Sequence, residues 1–297
     1  MKSVEPQAGD SLRVSELLAG CVDELQRRGI DESRTLGEHL VAHVLGCRRL
    51  ELGLTLRATA RADQASRIHA GTRRLAAGEP LQYVLGEAEF MGRRFLADRR
   101  ALIPRPETEL LVEAVLAYTR MMACLDLVVW DVGTGSGCVA VSVALLEPRA
   151  VVLASDISLD AISLARANVE LHSVGGRVKL LATDLLGAAG SVVADVVVAN
   201  LPYVASETCL RLERHVRDHE PRLALDGGDD GLALIRRLVV HARDALQPGG
   251  ALFLEIGHDQ GDSVVMMLEQ AGYQKPALTK DGAGLTRVAT GVRPTFV

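Results

Sequence analysis

Hydrophobic positions fall into three regimes along the chain. From 11 to 79 they recur at helical spacing. SLRVSELLAGCVDELQRRGI places Leu12, Leu17, Leu18, Val22 and Leu25 near a 3.6-residue repeat that Gly29 stops. SRTLGEHLVAHVLG repeats the pattern with Leu36, Leu40, Val41, Val44 and Leu45; Ser33 offers an N-cap and Gly46 a stop. ADQASRIHAGTRRLAAG predicts a third helix over 62–77, and short links between such helices predict a small bundle. Between 80 and 103 the period changes, and strand-like stretches around Gly86 and Gly92 predict a hairpin-like connector. IPRPETELLVEAVLAYTR then opens a helix, with Pro106 suited to its first turn and Glu107 and Glu109 at the positive end of its dipole.

Beyond 126 apolar runs alternate with helical patterns. LVVWDVG, VVLASDI, RVKLLATD, VVADVVVANLPY and ALFLEIG read as five strands, and KPALTKD and LTRVATGV as two more after the last helix. Continuous Val/Leu strands between helices predict a parallel sheet covered on both faces, with the last two strands an antiparallel hairpin at one edge. Ligands of such a sheet bind at the carboxyl ends of its strands, so the chemistry is expected there.

Length and composition narrow this further. A chain of 297 residues suits two units, and 48% hydrophobic content supplies a core that must be aliphatic, since aromatics are 3% with one Trp. No apolar run approaches the ~18 residues needed to cross a bilayer, and MKSVEPQAGD lacks a signal-peptide pattern, so a cytoplasmic protein without membrane contact is expected. Cys21, Cys47, Cys124, Cys138 and Cys209 are odd in number and scattered, which reads as small buried residues in a reducing compartment. His39 and His43 stand four apart but lack an acidic third ligand, and no metal site is expected. The net charge of −5 divides into +3 for residues 1–105 and −8 for the rest. The arginine pairs between 48 and 105 suit an acidic partner, RNA, or plain solvated surface, while the acidic remainder argues against strong nucleic-acid binding.

At the strand ends, Asp131 leads into the glycine loop Gly133-Thr134-Gly135-Ser136-Gly137, and Asp156 ends the next strand, placed to accept from two ribose hydroxyls. A nicotinamide-binding domain shares these features, but the spacing here is GxGxG, and Asp131 sets a negative charge where a pyrophosphate is unwelcome. That carboxylate suits the amino group and sulfonium of S-adenosylmethionine. Asp184 ends the third strand, placed either for the adenine side of a nucleoside or as a cap on the next turn. The fourth strand ends Asn200-Leu201-Pro202-Tyr203. A nitrogen conjugated to a π system is a poor nucleophile. Methylating it calls for two acceptors that hold both N–H bonds, here the Asn200 side-chain oxygen and the Leu201 carbonyl. Pro202 stiffens the loop, and Tyr203 offers a ring face to a flat group.

These stretches resemble the peptide chain release factor N5-glutamine methyltransferases, the PrmC/HemK family, over nearly the whole chain. IPRPETELLVE, DVGTGSGCVA, ANLPYV, HEPRLALDGGDDGL, LEIGHDQG and DGAGLTRV carry the resemblance; IPRPETE and EPRLALDGGDDGL are its specific parts. It implies a seven-stranded, Rossmann-like α/β methyltransferase domain of class I over 106–297, a β-hairpin connector over 81–105, and a small helical bundle over 1–80 that recognises the release factor. The implied substrate is the side-chain amide of the GGQ glutamine of class 1 release factors, methylated by a monomer. S-adenosylmethionine is the implied donor and S-adenosylhomocysteine the product. Carried over, Asp131, Gly133, Thr134, Gly135, Ser136, Gly137, Asp156, Asp184 and Asn200 bind the cofactor. Asn200, Leu201, Pro202 and Tyr203 hold the glutamine, with Asn200, Pro202 and Tyr203 the catalytic set. Where the family has NPPY this chain has NLPY. Leu supplies the same backbone carbonyl with less stiffness, so a modest loss at most is expected. Asp281 and Arg287 resemble a closing pattern and receive no catalytic role. Other readings are a glutamine methyltransferase of a ribosomal protein, an adenine-N6 methyltransferase on RNA or DNA, an NAD-dependent dehydrogenase, and a non-catalytic binding protein.

Overall fold

The computed structural model describes residues 12–187 and 193–295. The residues before 12, including the start MKSVEPQAGD and the first residue of the opening helical stretch, lie outside it, as does the first residue of VVADVVVANLPY. The chain divides into two compact units, one ending at Gly86 and the other running from Glu87.

In the first unit α1 (Val14–Arg27), α2 (Ser33–Leu45) and α4 (Ala62–Ala76) follow the three apolar stripes, with the single turn α3 (Leu52–Thr55) and the short α5 (Leu81–Leu85) completing it. Leu17, Leu25, Leu40, Val41, Ile68 and Leu75 form its core. Gly46 ends α2 in the left-handed region, as expected. Ser33 differs from its expected role: it is the first helical residue after a left-handed Glu32, and its hydroxyl donates to the Ile30 carbonyl rather than capping the helix. Residues 81–85 also differ, forming α5 and not a strand. Arg74 reaches over to the carbonyls of Tyr83 (2.8 Å) and Val84 (3.2 Å), and this side-chain clamp overrides the β preference of Tyr83 and Val84.

The second unit begins with the hairpin β1 (Glu87–Phe90) and β2 (Arg93–Leu96). Met91 and Gly92 both have positive φ, the signature of the tight turn whose twist matches a hairpin. The stretch expected as one connector is therefore divided, α5 in the first unit and the hairpin in the second. Then come α6 (Pro106–Met121), with Pro106 in its first turn, β3 (Leu127–Val132), α7 (Cys138–Leu146), β4 (Ala150–Asp156), α8 (Leu159–Leu171), β5 (Val178–Ala182) and β6 (Ala194–Ala199). After two single turns, α9 (Ser206–Cys209) and α10 (Arg214–Arg217), the chain continues through α11 (Ala233–Ala245), β7 (Leu246–Glu255), α12 (Gly261–Gln270), β8 (Gln274–Lys280) and β9 (Thr286–Val292).

The seven strands lie in the order β5-β4-β3-β6-β7-β9-β8, parallel except where β9 runs against β7 and β8. Successive crossovers move outward from β3 in one direction, then from β6 in the other, so the order reverses between β3 and β6. One apolar layer packs α6 and α7 on the sheet, around Leu111, Val115 and Val141; the other packs α11 and α12, around Ile235, Leu238 and Val264. All five cysteines are free, three buried and two half-buried. Among the described residues no helix is long and apolar enough to cross a membrane.

Candidate functional site

A cavity of about 240 Å³ opens at the carboxyl ends of β3, β4, β5 and β6, over the point where strand order reverses. Strand register brings the motifs together there. Val132 pairs with Ala199 and Ala199 with Leu254, which sets Gly133, Asn200 and Glu255 side by side at the ends of three adjacent strands.

The glycine loop is held from β4. The Gly133 and Thr134 N–H groups donate to the Ser155 carbonyl, and the Gly135 N–H donates to Asp156 Oδ2 at 2.9 Å. Gly133 combines φ +73° with an approach to the NLPY loop: a Cβ there would meet the flexible end of the Leu201 side chain, Cδ2, at 2.9 Å, so the left-handed backbone is what favours glycine. Asn168 ties the loop to the hairpin, donating to the carbonyls of Ser136 (2.9 Å) and Leu96 (3.1 Å) while accepting from the Leu96 N–H (2.7 Å).

Asp131 is buried and accepts from Thr134 Oγ1 (2.6 Å) and the Ala140 N–H (3.1 Å). Burial pushes its carboxyl up to about 7; these two hydrogen bonds pull it down, and the nearby Asp156 charge pushes it up. Burial also raises Asp156, against the backbone N–H groups of Ser158, Gly135 and Ile157 that it accepts from. Asp184 stands two residues beyond β5 on the cavity wall, its carboxylate paired with Arg237 Nη2 at 2.6 Å. It neither caps a long helix nor stands as a lone acceptor, because Arg237 shares it.

Asn200, Leu201 and Pro202 line the same cavity as the glycine loop. Asn200 Nδ2 donates to Thr108 Oγ1 at 3.0 Å. Tyr203 follows on the same loop. It is not among the residues lining the cavity; its ring packs on the α11–α12 side of the sheet, and its hydroxyl lies 3.4 Å from Glu255 Oε1. Burial and the Glu255 charge push the Tyr203 phenol up to about 12.

Several residues escape the sequence reading. The segment from Arg100 to Arg105 forms one cavity wall, held by the fully buried Glu220, which accepts from the Ile103 N–H (3.2 Å) and pairs with Arg105. IPRPETE and HEPRLALDGG are thus two halves of one clamp. The glycines of the second half pack against the NLPY backbone: a Cβ on Gly231, at φ +73°, would fall 2.3 Å from the Tyr203 carbonyl, which Gln260 Nε2 holds at 2.9 Å. Thr108 lines the cavity beside Asn200, and Glu255 lies next to Asn200 in the sheet register. The rule that chemistry collects at strand ends points at Glu255, the last residue of β7; Thr108, in the first turn of a helix, carries no such signal.

The methyltransferase small-domain family matches residues 107–228, and a methyltransferase from Pyrococcus furiosus superposes on 79% of this chain and 100% of its own with a TM-score of 0.50 at 16% identity. Sheet order, glycine loop and NLPY end together define the class: an S-adenosylmethionine-dependent methyltransferase of the Rossmann-like, class I fold. The N-terminal unit narrows it. The PrmC N-terminal domain family matches residues 16–86, and release factor glutamine methyltransferases from Geobacter sulfurreducens (36% identical, 90% of this chain and 92% of theirs) and Moorella thermoacetica (39%, 93% and 97%) are similar along their length. The chain belongs to the release factor glutamine methyltransferase family.

The cavity suits the donor this class uses. Acidic side chains stand at its β3 and β4 ends, Gly135 leaves the backbone open toward it, and a Cβ on Gly135 would have no protein neighbour closer than 3.9 Å.

Proposed function

We propose that this enzyme methylates the side-chain amide nitrogen of the GGQ glutamine in class 1 peptide chain release factors, in the cytoplasm, by direct in-line transfer. The observation that carries this reading is the presence of Asn200 and Leu201 in one cavity with the glycine loop and Asp156. S-adenosylmethionine supplies an electrophilic methyl group on a sulfonium. Asp131, the loop from Gly133 to Gly137 and Asp156 bind it, with Asp184 and Arg237 as a paired rim beside the nucleoside.

Asn200 Oδ1 and the Leu201 carbonyl accept the two N–H bonds of the glutamine amide and turn its nitrogen lone pair toward the methyl group. Pro202 fixes the loop, and Tyr203, anchored below it by Glu255 and Gln260, keeps the loop in place. Positioning of this kind is worth up to about 7–11 kcal/mol of barrier. No base is required, because the nitrogen becomes strongly acidic once methylated and loses its proton to water. The helical unit serves as the grip on the release factor.

Transfer of labelled methyl to purified release factor tests the reading. Label in wild-type factor and none in factor with the GGQ glutamine changed to Ala is the expected result. Label in neither, but in ribosomal protein or RNA, overturns the substrate while leaving the class intact.

A further inference from the structure

The proposed role of Asn200 has a requirement that Asn200 alone does not meet. An asparagine amide turned by half a rotation presents Nδ2 in place of Oδ1, a donor facing the donors of the substrate. Something must fix which end faces the cavity.

Nδ2 is held by Thr108 Oγ1 at 3.0 Å. A hydroxyl both donates and accepts, so Thr108 by itself fixes nothing. The group that takes the Thr108 proton decides. Glu255 lies next to Asn200 in the sheet register, is 2% exposed, and its carboxylate hydrogen-bonds the hydroxyls of Thr108 and Tyr203. The ionised carboxylate, the form Glu255 takes as pH rises through about 7, only accepts. The Thr108 hydroxyl therefore donates to Glu255, its lone pairs are left for Asn200 Nδ2, and Asn200 Oδ1 is left for the cavity. The Tyr203 O–H is ordered by the same carboxylate. Among the described residues Glu255 Oε2 has no hydrogen-bond partner, so this carboxylate is kept at a desolvation cost that packing alone does not call for.

We propose that Thr108 and Glu255 are positioning residues that set the orientation of the Asn200 amide, and through it the acceptor presented to the substrate; this rests on the reading of Asn200 given above. Facing Glu255 are Thr108 and Glu107 from α6, Tyr203 from the loop after β6, Cys138 at the start of α7, and Arg287 from β9, itself paired with Asp281 at 2.9 Å. Burial dominates among them and holds the Glu255 carboxyl up, at about 7, so its acceptor strength changes within the working range of pH.

The test uses the full-length enzyme with Thr108→Val, Thr108→Ser and Glu255→Gln. Thr108→Val keeps the shape and removes the acceptor. It should lower kcat by about 10–100-fold, the cost of leaving one buried polar group mispaired, and by more than it weakens S-adenosylmethionine binding. Thr108→Ser should return kcat to near wild type. Glu255→Gln, whose amide oxygen can still accept from Thr108, should lower kcat less than Thr108→Val does. A Thr108→Val enzyme as fast as wild type, or a Thr108→Ser enzyme as slow as Thr108→Val, overturns the proposal.

The Asn200 side-chain amide signals in the NMR spectrum provide a readout that needs no turnover. One proton held by Thr108 should be shifted downfield in wild type and lost in Thr108→Val; identical signals overturn the proposal. Inactivity of wild type toward release factor, with this signature present, counts against the substrate and not against the orienting role.

Discussion

Asp131 lines the cavity, and its proposed contact with the positive charge of the cofactor can be tested through its proton. Its carboxyl is raised by burial from an ordinary 3.8 to about 7, so between those values the folded protein holds a proton that the unfolded chain has released. Stability therefore falls as pH rises across that window, and the loss is complete above it. Binding a cation beside Asp131 has the opposite sign, since it favours the ionised form and expels the proton. Affinity for S-adenosylmethionine should thus rise about tenfold from pH 5.5 to 7 and then level, as one proton is released per ligand bound. Titration calorimetry in buffers of different ionisation enthalpy measures both the slope and the proton. Asp131→Asn should bind more weakly with the slope removed; an equal slope in that variant would assign the proton elsewhere, with Asp156 the nearest alternative.

At the scale of elements, the site depends on pieces far apart in sequence closing over one another. Glu220 is the clearest case, fully buried between the segment before α6 and the loop before α11, with the Ile103 N–H and the Arg105 guanidinium both aimed at it. Glu220→Ala leaves a buried N–H and a half-buried guanidinium without an acceptor. It should cost about 2–3 kcal/mol, which for a unit of this size lowers Tm by roughly 5–10 °C. Thermal scans with and without S-adenosylmethionine measure it, and the ligand-induced rise in Tm should shrink as well, because the clamp forms one cavity wall. A variant with wild-type Tm would show the clamp to be dispensable.

The same scale shows what sequence could convey. The five apolar runs and their acidic or glycine ends are local signals, so the strands, the glycine loop, Asp156 and Asn200 were legible. The closeness of Glu255 to Asn200 depends on β7 pairing with β6, and that of Glu220 to Ile103 on a loop folding back across 117 residues of sequence separation. Neither leaves a periodic trace. Residues 81–85 were misread for a related reason, since Arg74 holds Tyr83 and Val84 in a helix that their own preferences oppose. The direction of the Tyr203 ring is not legible in the same way, because the direction of a side chain in an irregular loop is set by what it packs on.

At the scale of the whole molecule, the proposed grip of the helical unit on the release factor calls for charge or apolar surface left over on that unit. The arginines between 48 and 105 suggest a basic docking face, but Arg48, Arg61, Arg74, Arg94 and Arg100 are paired with Glu51, Asp63, Glu79, Glu87 and Asp98. Such exposed pairs contribute little to stability and do not cancel the charge of the stretch, where twelve arginines face six acids, but solvated arginine charge alone carries no partner specificity. The helical unit instead exposes two leucines almost completely: Leu50, 90% accessible in the turn Arg49–Glu51, and Leu54, 88% accessible in α3. Two large apolar side chains four residues apart, free of their own core, are what a protein partner covers. Leu50→Ser combined with Leu54→Ser should leave Tm and S-adenosylmethionine affinity unchanged, since neither side chain is buried and every cavity-lining residue belongs to the second unit. KM for release factor should rise about tenfold, in keeping with the loss of interface anchors worth about 1–2 kcal/mol, while kcat stays as it was. Steady-state methylation with factor concentration varied separates the two constants. A KM that does not move would take the docking role away from this face of the helical unit, and a kcat that falls instead would mean that the leucines act on the chemistry and not on capture.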